Sequence, residues 1–133
     1  MPGETNLQKL LAALDPELNP GEFVYCLVDS LEKALSLEPL CSFQEKEGVT
    51  LILPRAKADE MGFSDSLVCA WITLTVHSSL EGVGLTAAVS RALAEAGISC
   101  NVVAAYHHDH LFVPLKDADR AMKVLRTLSG TDH

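Results

Sequence analysis

The stretch LVCAWITLTVH (residues 67–77) decides the fold, because its side chains alternate between two classes. One face carries the apolar residues Val68, Ala70, Ile72, Leu74 and Val76, and the other carries Cys69, Trp71, Thr73, Thr75 and His77. Strict alternation is typical of a β-strand with one face against a core. The stretch is therefore the clearest strand in the sequence.

The next segment, SSLEGVGLTAAVSRALAEAG (78–97), has the spacing of an amphipathic helix. Its apolar residues recur every three or four positions, at Leu85, Val89, Leu93 and Ala96. Ser78 and Glu81 have the spacing of a capping box, and Gly97 is a natural C-terminal stop. We expect the helix to follow the strand across a short loop.

Two further strands and a helix complete this half of the chain: ISCNVVAAY (98–106), HLFVPL (110–115) and DADRAMKVLRTLSG (117–130). The helix has an apolar stripe at Ala118, Ala121, Met122, Leu125 and Leu128. The order strand, helix, strand, strand, helix predicts an α+β, ferredoxin-like βαββαβ unit. In such a unit, helices cover one face of an antiparallel sheet.

The first half repeats part of this pattern. LILPRAKADEM (51–61) aligns without gaps on LFVPLKDADRA (111–121), with Leu51, Pro54, Ala58 and Asp59 matching Leu111, Pro114, Ala118 and Asp119. Chance similarity between short apolar segments is the alternative, but the shared order of elements favours duplication. We expect a first, abbreviated unit at 1–63 and a complete one at 64–133.

The remaining segments of the first half also have readable patterns. EFVYCLV (22–28) predicts a strand that ends in a serine-bearing turn, and SLEKALSLEPL (30–40) predicts a brief helix or turn in place of a full crossover helix. LQKLLAAL (7–14) predicts an extra N-terminal helix, and DPELNPGE (15–22) predicts a loop, because it is rich in turn-forming residues.

Composition limits the classes of partner. The chain has 133 residues, 48% of them hydrophobic, and a net charge of −8 with only ten Lys and Arg, which argues against nucleic acid. Its apolar runs are too short to span a membrane and its N-terminus lacks a signal-peptide pattern, so we expect a cytoplasmic protein with no membrane partner. Four widely spaced cysteines without a CxxC motif are interpreted as reduced core residues.

The cluster Tyr106, His107, His108, Asp109 and His110 has three interpretations: metal ligands, a general acid/base group, or a hairpin tip. Adjacent residues rarely supply a tetrahedral zinc site, and no nucleophile accompanies the cluster in a recognisable spacing. The repeat aligns this cluster with the turn EKEG (45–48), which carries no ligand set. We therefore favour a polar hairpin tip, and expect no metal and no catalytic residues.

The stretch VHSSLEGVGLTAAV (76–89) is the better candidate for binding. The start of a helix offers backbone N–H groups to a carboxylate, and glycines let a ligand approach closely. An ordinary capped helix start is the alternative. Neither GxGxxG nor a P-loop lysine is present, so no cofactor is expected. A lone Trp71 on the uncovered sheet face indicates packing against another layer, such as the first half or a second subunit.

Residues 71–125, from WITLTVHSSLEG to DADRAMKVL, resemble the core of the ACT-domain family of small-molecule regulatory modules. Within that family they are similar to small bacterial tandem-ACT proteins that resemble the CASTOR arginine sensors. GVTLILPRAKADEMG (48–62) and PGEFVYCLV (20–28) resemble the first, abbreviated ACT unit of those proteins.

The resemblance implies a non-enzymatic regulatory protein, a homodimer, that binds a small molecule such as an amino acid at an interface between ACT units. The residues that it implicates are His77, Ser78, Ser79, Glu81, Gly82, Val83, Gly84, Leu85, Ile98, Ser99, Cys100 and Asn101. ACT domains usually regulate an attached enzyme or transcription domain, and these 133 residues contain neither. The alternative is a ligand-free interaction module that assembles through the uncovered sheet face.

Overall fold

A computed structural model of the chain describes residues 2–63, 67–76 and 84–130. The helices are α1 (Pro2–Ala12), α2 (Leu31–Ser36), α3 (Arg55–Glu60), α4 (Leu85–Glu95) and α5 (Ala118–Ser129), the last preceded by a 3₁₀ turn (Leu115–Asp117). The strands are β1 (Leu14–Leu18), β2 (Phe23–Val28), β3 (Cys41–Gln44), β4 (Val49–Pro54), β5 (Cys69–Val76), β6 (Asn101–Ala104) and β7 (Asp109–Pro114). Among the described helices, none has the length and apolarity needed to cross a membrane.

The chain divides into two compact units. The large unit comprises residues 1–19 and 71–133, and the small unit comprises residues 20–70. The N-terminal segment thus belongs with the second half of the chain, because β1 packs against α5 and α1 contacts both α4 and α5. This grouping differs from the predicted division at 1–63, which follows sequence order.

The sheet of the large unit has the order β1, β5, β7, β6. β1 is antiparallel to β5, from Leu14 opposite Val76 to Leu18 opposite Ile72, and β6 forms an antiparallel hairpin with β7. The fourth strand of the βαββαβ pattern therefore comes from the N-terminus. The prediction that 15–22 is a loop was wrong for Asp15 to Leu18, because pairing with β5 overrides the local turn propensity.

Two residues explain how so polar a segment forms a strand. Leu14 is buried, and Pro16 lies opposite Leu74 in the register with β5. Proline has no N–H to donate, so it suits a strand that needs hydrogen bonds on one side only.

The core of the large unit confirms the predicted periodicities. Ile72 and Leu74 of β5 are buried, as the alternation predicts. The α4 stripe and the α5 stripe cover this face with Leu85, Val89, Leu93, Ala118, Ala121, Met122 and Leu125, all buried. Burial of apolar area at about 25 cal/mol per Å² is the main stabilising contribution here.

The start of α4 is marked by a glycine. The helix begins at Leu85 and its N-cap is Gly84, whereas the capping box was expected at Ser78 and Glu81. Both of those residues lie outside the described part of the chain. Gly84 adopts a left-handed conformation (φ 93°), which is where glycine avoids a steric penalty that other residues incur.

The small unit has three antiparallel strands in the order β3, β4, β2, and Phe23 at the start of β2 also pairs with Cys69. One face of the sheet packs on α2 and α3 around a core of Val24, Val28, Ala34, Leu37, Val49, Leu51, Leu53 and Ala58. The crossover helix α2 has 6 residues, against 11 in α4, which confirms the abbreviated crossover.

All four cysteines are free. Only Cys69 is buried, whereas Cys26, Cys41 and Cys100 are half-buried, so the prediction of four core thiols was correct for one of them. Cys41 begins β3 and Cys100 directly precedes β6, and residues at strand ends are only partly covered. Cys26 lies within β2 and packs, partly buried, against the core of the small unit.

Candidate functional site

The predicted binding residues fall into a described and an undescribed set. His77, Ser78, Ser79, Glu81, Gly82 and Val83 lie outside the described residues. The other six are placed by the structure in two groups, Gly84 with Leu85 and Ile98 to Asn101.

Gly84 and Leu85 form the start of α4. The Gly84 carbonyl accepts from the Ala88 N–H at 2.9 Å, and Leu85 is buried against the core. A side chain at Gly84 would lie in ordinary contact with Leu7 of α1, at 3.7 Å. The first N–H groups of a helix have no acceptor within it and carry the positive end of its dipole, so this end of α4 can receive a carboxylate.

The second group follows the other end of α4. Ile98 is buried and its N–H donates to the Leu93 carbonyl at 2.9 Å. Ser99 and Asn101 are exposed, and Asn101 begins β6 opposite Phe112. Burial raises the pKa of the Cys100 thiol from 9.0 to about 11, so this cysteine is a poor nucleophile near neutral pH.

The structure does not bring these two groups together within the large unit. They flank a helix of 11 residues, which at 1.5 Å per residue is about 16 Å long. An amino acid is shorter than this helix. One ligand could contact both groups only if they came from different ACT-like units.

A polar cluster lies on the face of β5 opposite to Ile72 and Leu74. It consists of Asn19, which follows β1, Trp71 and Thr73 of β5, and His110 of β7. Asn19 Nδ2 donates to Thr73 Oγ1 at 2.8 Å and to the Trp71 carbonyl at 3.3 Å. Trp71 Nε1 donates to His110 Nδ1 at 3.0 Å, and Thr73 Oγ1 lies 3.2 Å from the same nitrogen.

His110 was included both in the predicted hairpin tip and in the predicted strand 110–115, and the structure places it in the strand. The tip itself is confirmed, since the Ala105 N–H donates to the His108 carbonyl at 3.0 Å and Tyr106 is exposed. His110 lies two residues further on, within β7, and its ring contacts the Trp71 ring at a centroid distance of 5.7 Å. Alternation along 110–115 is the sequence signal that could have placed it on a sheet face.

The surroundings of His110 lower the pKa of its imidazole from 6.5. Burial is the largest cause, the nearby His108 adds to it, and the Asp109 carboxylate opposes it. The ring is therefore neutral over most of the physiological range. Within the described ranges, the structure groups no three His, Cys, Asp or Glu side chains so that they could hold a metal ion.

Two profiles of the ACT domain match the chain, one over residues 2–70 and the other over residues 66–127. The chain belongs to the ACT-domain family. It holds two ACT domains in tandem, which confirms the ferredoxin-like class expected from the strand and helix order. A comparison with curated proteins gives no match.

Solved structures support the same fold. A Vibrio cholerae protein described as of unknown function and a possible transport protein is 46% identical, with TM-score 0.89, over 96% of this chain and 98% of that chain. The regulatory subunit of aspartate kinase from Thermus thermophilus has TM-score 0.62 and 9% identity, over 85% of this chain and 95% of that chain. A structure of aspartokinase alpha and beta subunits has TM-score 0.63 and 13% identity, over 86% and 97%.

The small unit, which is the abbreviated ACT domain, has no segment that corresponds to the glycine-bearing stretch at 76–89. Only Asp29 and Ser30 separate β2 from α2, and the Ser30 hydroxyl accepts from the Lys33 N–H at 3.2 Å. This helix start is capped by the domain's own side chain, so it is less suited than α4 to receive a ligand carboxylate.

The large unit and the small unit each have a surface groove. In the large unit a groove of about 410 Å³ is lined by Glu95, Arg120, Lys123 and apolar residues of α4 and α5. In the small unit a groove of about 610 Å³ is lined by Phe23, Pro54 and the 2.9 Å ion pair between Arg55 and Glu22. None of the six predicted binding residues that the structure describes lines either groove.

Proposed function

We propose that this protein is a non-enzymatic regulator that binds an amino acid through its complete ACT domain. The tandem of two ACT domains is the observation that carries the proposal, supported by the likeness to regulatory subunits of aspartate kinase. In those relatives the fold is part of a regulatory protein, and we extend that role to this chain.

The ligand carboxylate is assigned to the start of α4, with the segment 77–83 contributing the hydroxyl, glycine and carboxylate groups named above. Gly84 is the one described residue whose conformation directly serves this assignment, because it has no side chain to block the first turn of the helix. The side chain at position 81, a glutamate, is assigned to the ligand ammonium group.

A homodimer is part of this proposal. Ile98 to Asn101 lie one helix length from Gly84, so these residues can share a ligand with the α4 start only when it is supplied by a different ACT unit, such as that of a second chain. The proposed location is the cytoplasm.

The test is calorimetric titration of the purified chain with each of the twenty L-amino acids. Arginine is included because of the resemblance to tandem-ACT arginine sensors, without being the expected ligand. Every amino acid that binds is compared with the amine that lacks its carboxylate, and we expect the amine to show no binding. Heat from none of the twenty would overturn the proposal. A chain that binds none of the twenty and is nevertheless a dimer would favour a protein-interaction module.

A further inference from the structure

The contact between Trp71 and His110 constrains the protonation of the histidine. An indole N–H can only donate a hydrogen bond, so His110 Nδ1 must accept at the 3.0 Å distance observed. An imidazolium carries a proton on both ring nitrogens and accepts at neither. We propose that this contact is a proton-responsive link between β5 and β7, which opens when His110 Nδ1 takes a proton from solvent.

The neighbouring hydrogen bonds fix the same tautomer. Asn19 Nδ2 donates to Thr73 Oγ1 at 2.8 Å, which leaves the Thr73 hydroxyl proton free to point at His110 Nδ1, 3.2 Å away. The Nδ1 lone pair then faces two donors, and the ring proton resides on Nε2. After protonation Thr73 can rotate and accept from Nδ1, but the Trp71 N–H then faces another N–H and this contact is broken.

Among the described residues, titratable and charged groups near His110 lie on β7 with its turn and on β1. On β7 and its turn, the His108 ring lies 6.2 Å from the His110 ring between centroids, and Asp109 is the adjacent residue. On β1, Glu17 lies opposite Thr73 and Asp15 opposite Thr75. β5 contributes Trp71 and the hydroxyl groups of Thr73 and Thr75, and β6 places Val103 opposite His110. Burial and the charge of His108 oppose protonation, and Asp109 favours it.

Opening the link would affect three strands at once. Asn19 ties the end of β1 to both Trp71 and Thr73, so a rotation of Thr73 also disturbs the Asn19 contact. β5 leads directly into the segment that precedes α4. The proton-responsive link does not depend on an amino-acid ligand, so its test can fail without contradicting the proposed function.

Trp71 is the only tryptophan in the chain, which makes its fluorescence a specific probe. Titration of the intact protein from about pH 8 to about pH 5 should show one transition in emission intensity and wavelength. Its midpoint should lie below 6.5. The His110→Asn variant keeps an oxygen acceptor for the indole, but asparagine does not titrate. The Trp71 emission of this variant should therefore stay constant over the same pH range. His107→Asn and His108→Asn should retain the transition.

A wild-type measurement avoids dependence on the variants. Nitrogen-15 NMR should show His110 with a bare Nδ1 at neutral pH, and the Trp71 indole N–H signal should shift with the same midpoint as the fluorescence. A proton on Nδ1 at neutral pH would overturn the proposal. So would a fluorescence transition that survives in His110→Asn, or no transition in the wild type.

Discussion

Pro54 and Pro114 adopt the same backbone conformation, φ −56° and ψ 137° at the first and φ −54° and ψ 136° at the second. Each ends a strand and leads into a helical segment. The matching strands β4 and β7 begin at residues 49 and 109, and their hairpin turns close with equivalent bonds, Glu45 N–H to the Gly48 carbonyl at 2.8 Å and Ala105 N–H to the His108 carbonyl at 3.0 Å. The internal repeat seen in the sequence is thus a structural repeat.

Substitution by alanine at equivalent core positions of the two repeats should lower the free energy of unfolding by similar amounts. Leu51 and Leu111 are both almost fully buried, so Leu51→Ala and Leu111→Ala should each reduce the free energy of unfolding by about 2–5 kcal/mol. Urea denaturation measures the change. Leu35→Ala is the control, since Leu35 is 61% exposed, and it should change stability by less than about 0.5 kcal/mol. A neutral Leu111→Ala would contradict the assigned core.

Gly84→Ala and Gly97→Ala separate backbone strain from ligand binding. Both glycines have positive φ (93° and 75°) and neither would gain a clash, so each substitution should destabilise the protein by about 1–2 kcal/mol. Only Gly84→Ala alters the proposed binding site. Thermal unfolding should give similar losses, whereas calorimetry should show weaker amino-acid binding for Gly84→Ala alone. Equal loss of binding in both variants would count against the site.

The bond between Asn19 and Thr73 should have a measurable coupling energy. A double-mutant cycle with Asn19→Ala and Thr73→Val should give about 0.5–1.5 kcal/mol, because either single variant removes the hydrogen bond between the two side chains. Chemical denaturation supplies the four free energies. In the control cycle Asn19→Ala is combined with Thr75→Val, and additivity within about 0.5 kcal/mol is expected. Zero coupling in the first cycle would show that Asn19 and Thr73 do not interact.

Cys100 should react slowly with iodoacetamide in the folded protein. Raising its pKa from 9.0 to about 11 lowers the thiolate fraction at about pH 8 by about 100-fold, and the thiolate is the nucleophile. Mass spectrometry of peptides after timed alkylation measures the rate. The same protein in guanidinium is the control. Equal rates in the folded and unfolded states would show that burial does not protect this thiol.

Because of His110, the free energy of unfolding should decrease as the pH is lowered. Its pKa in the folded state lies below the ordinary 6.5, so the unfolded chain takes up the proton first as pH falls. The contribution of His110 to stability is fully present above pH 6.5. It is lost as the pH falls from 6.5 through the lower pKa of the folded state. Urea unfolding at about pH 7.5 and about pH 5.5 should show a smaller loss in His110→Asn than in the wild type. Identical losses would exclude His110 as the source.

Local patterns predicted most elements, and non-local pairing explains the errors. Alternation over 67–77 and helical spacing at Leu85, Val89 and Leu93 are properties of contiguous residues, which a sequence displays directly. Asp15 to Leu18 were missed because their strand exists only through pairing with β5, more than fifty residues away. The contact between His110 and Trp71 was not predicted, because the two residues are also remote in sequence.

The sequence by itself determined the tandem repeat, the α+β class and the shortened crossover of the first ACT domain, because these depend on the order and period of apolar residues. Only the tertiary structure decided that β1 completes the large unit and that Trp71, Thr73 and His110 share one hydrogen-bonded cluster. These features are contacts between residues distant in the chain, and a contact exists only after the strands have found their register.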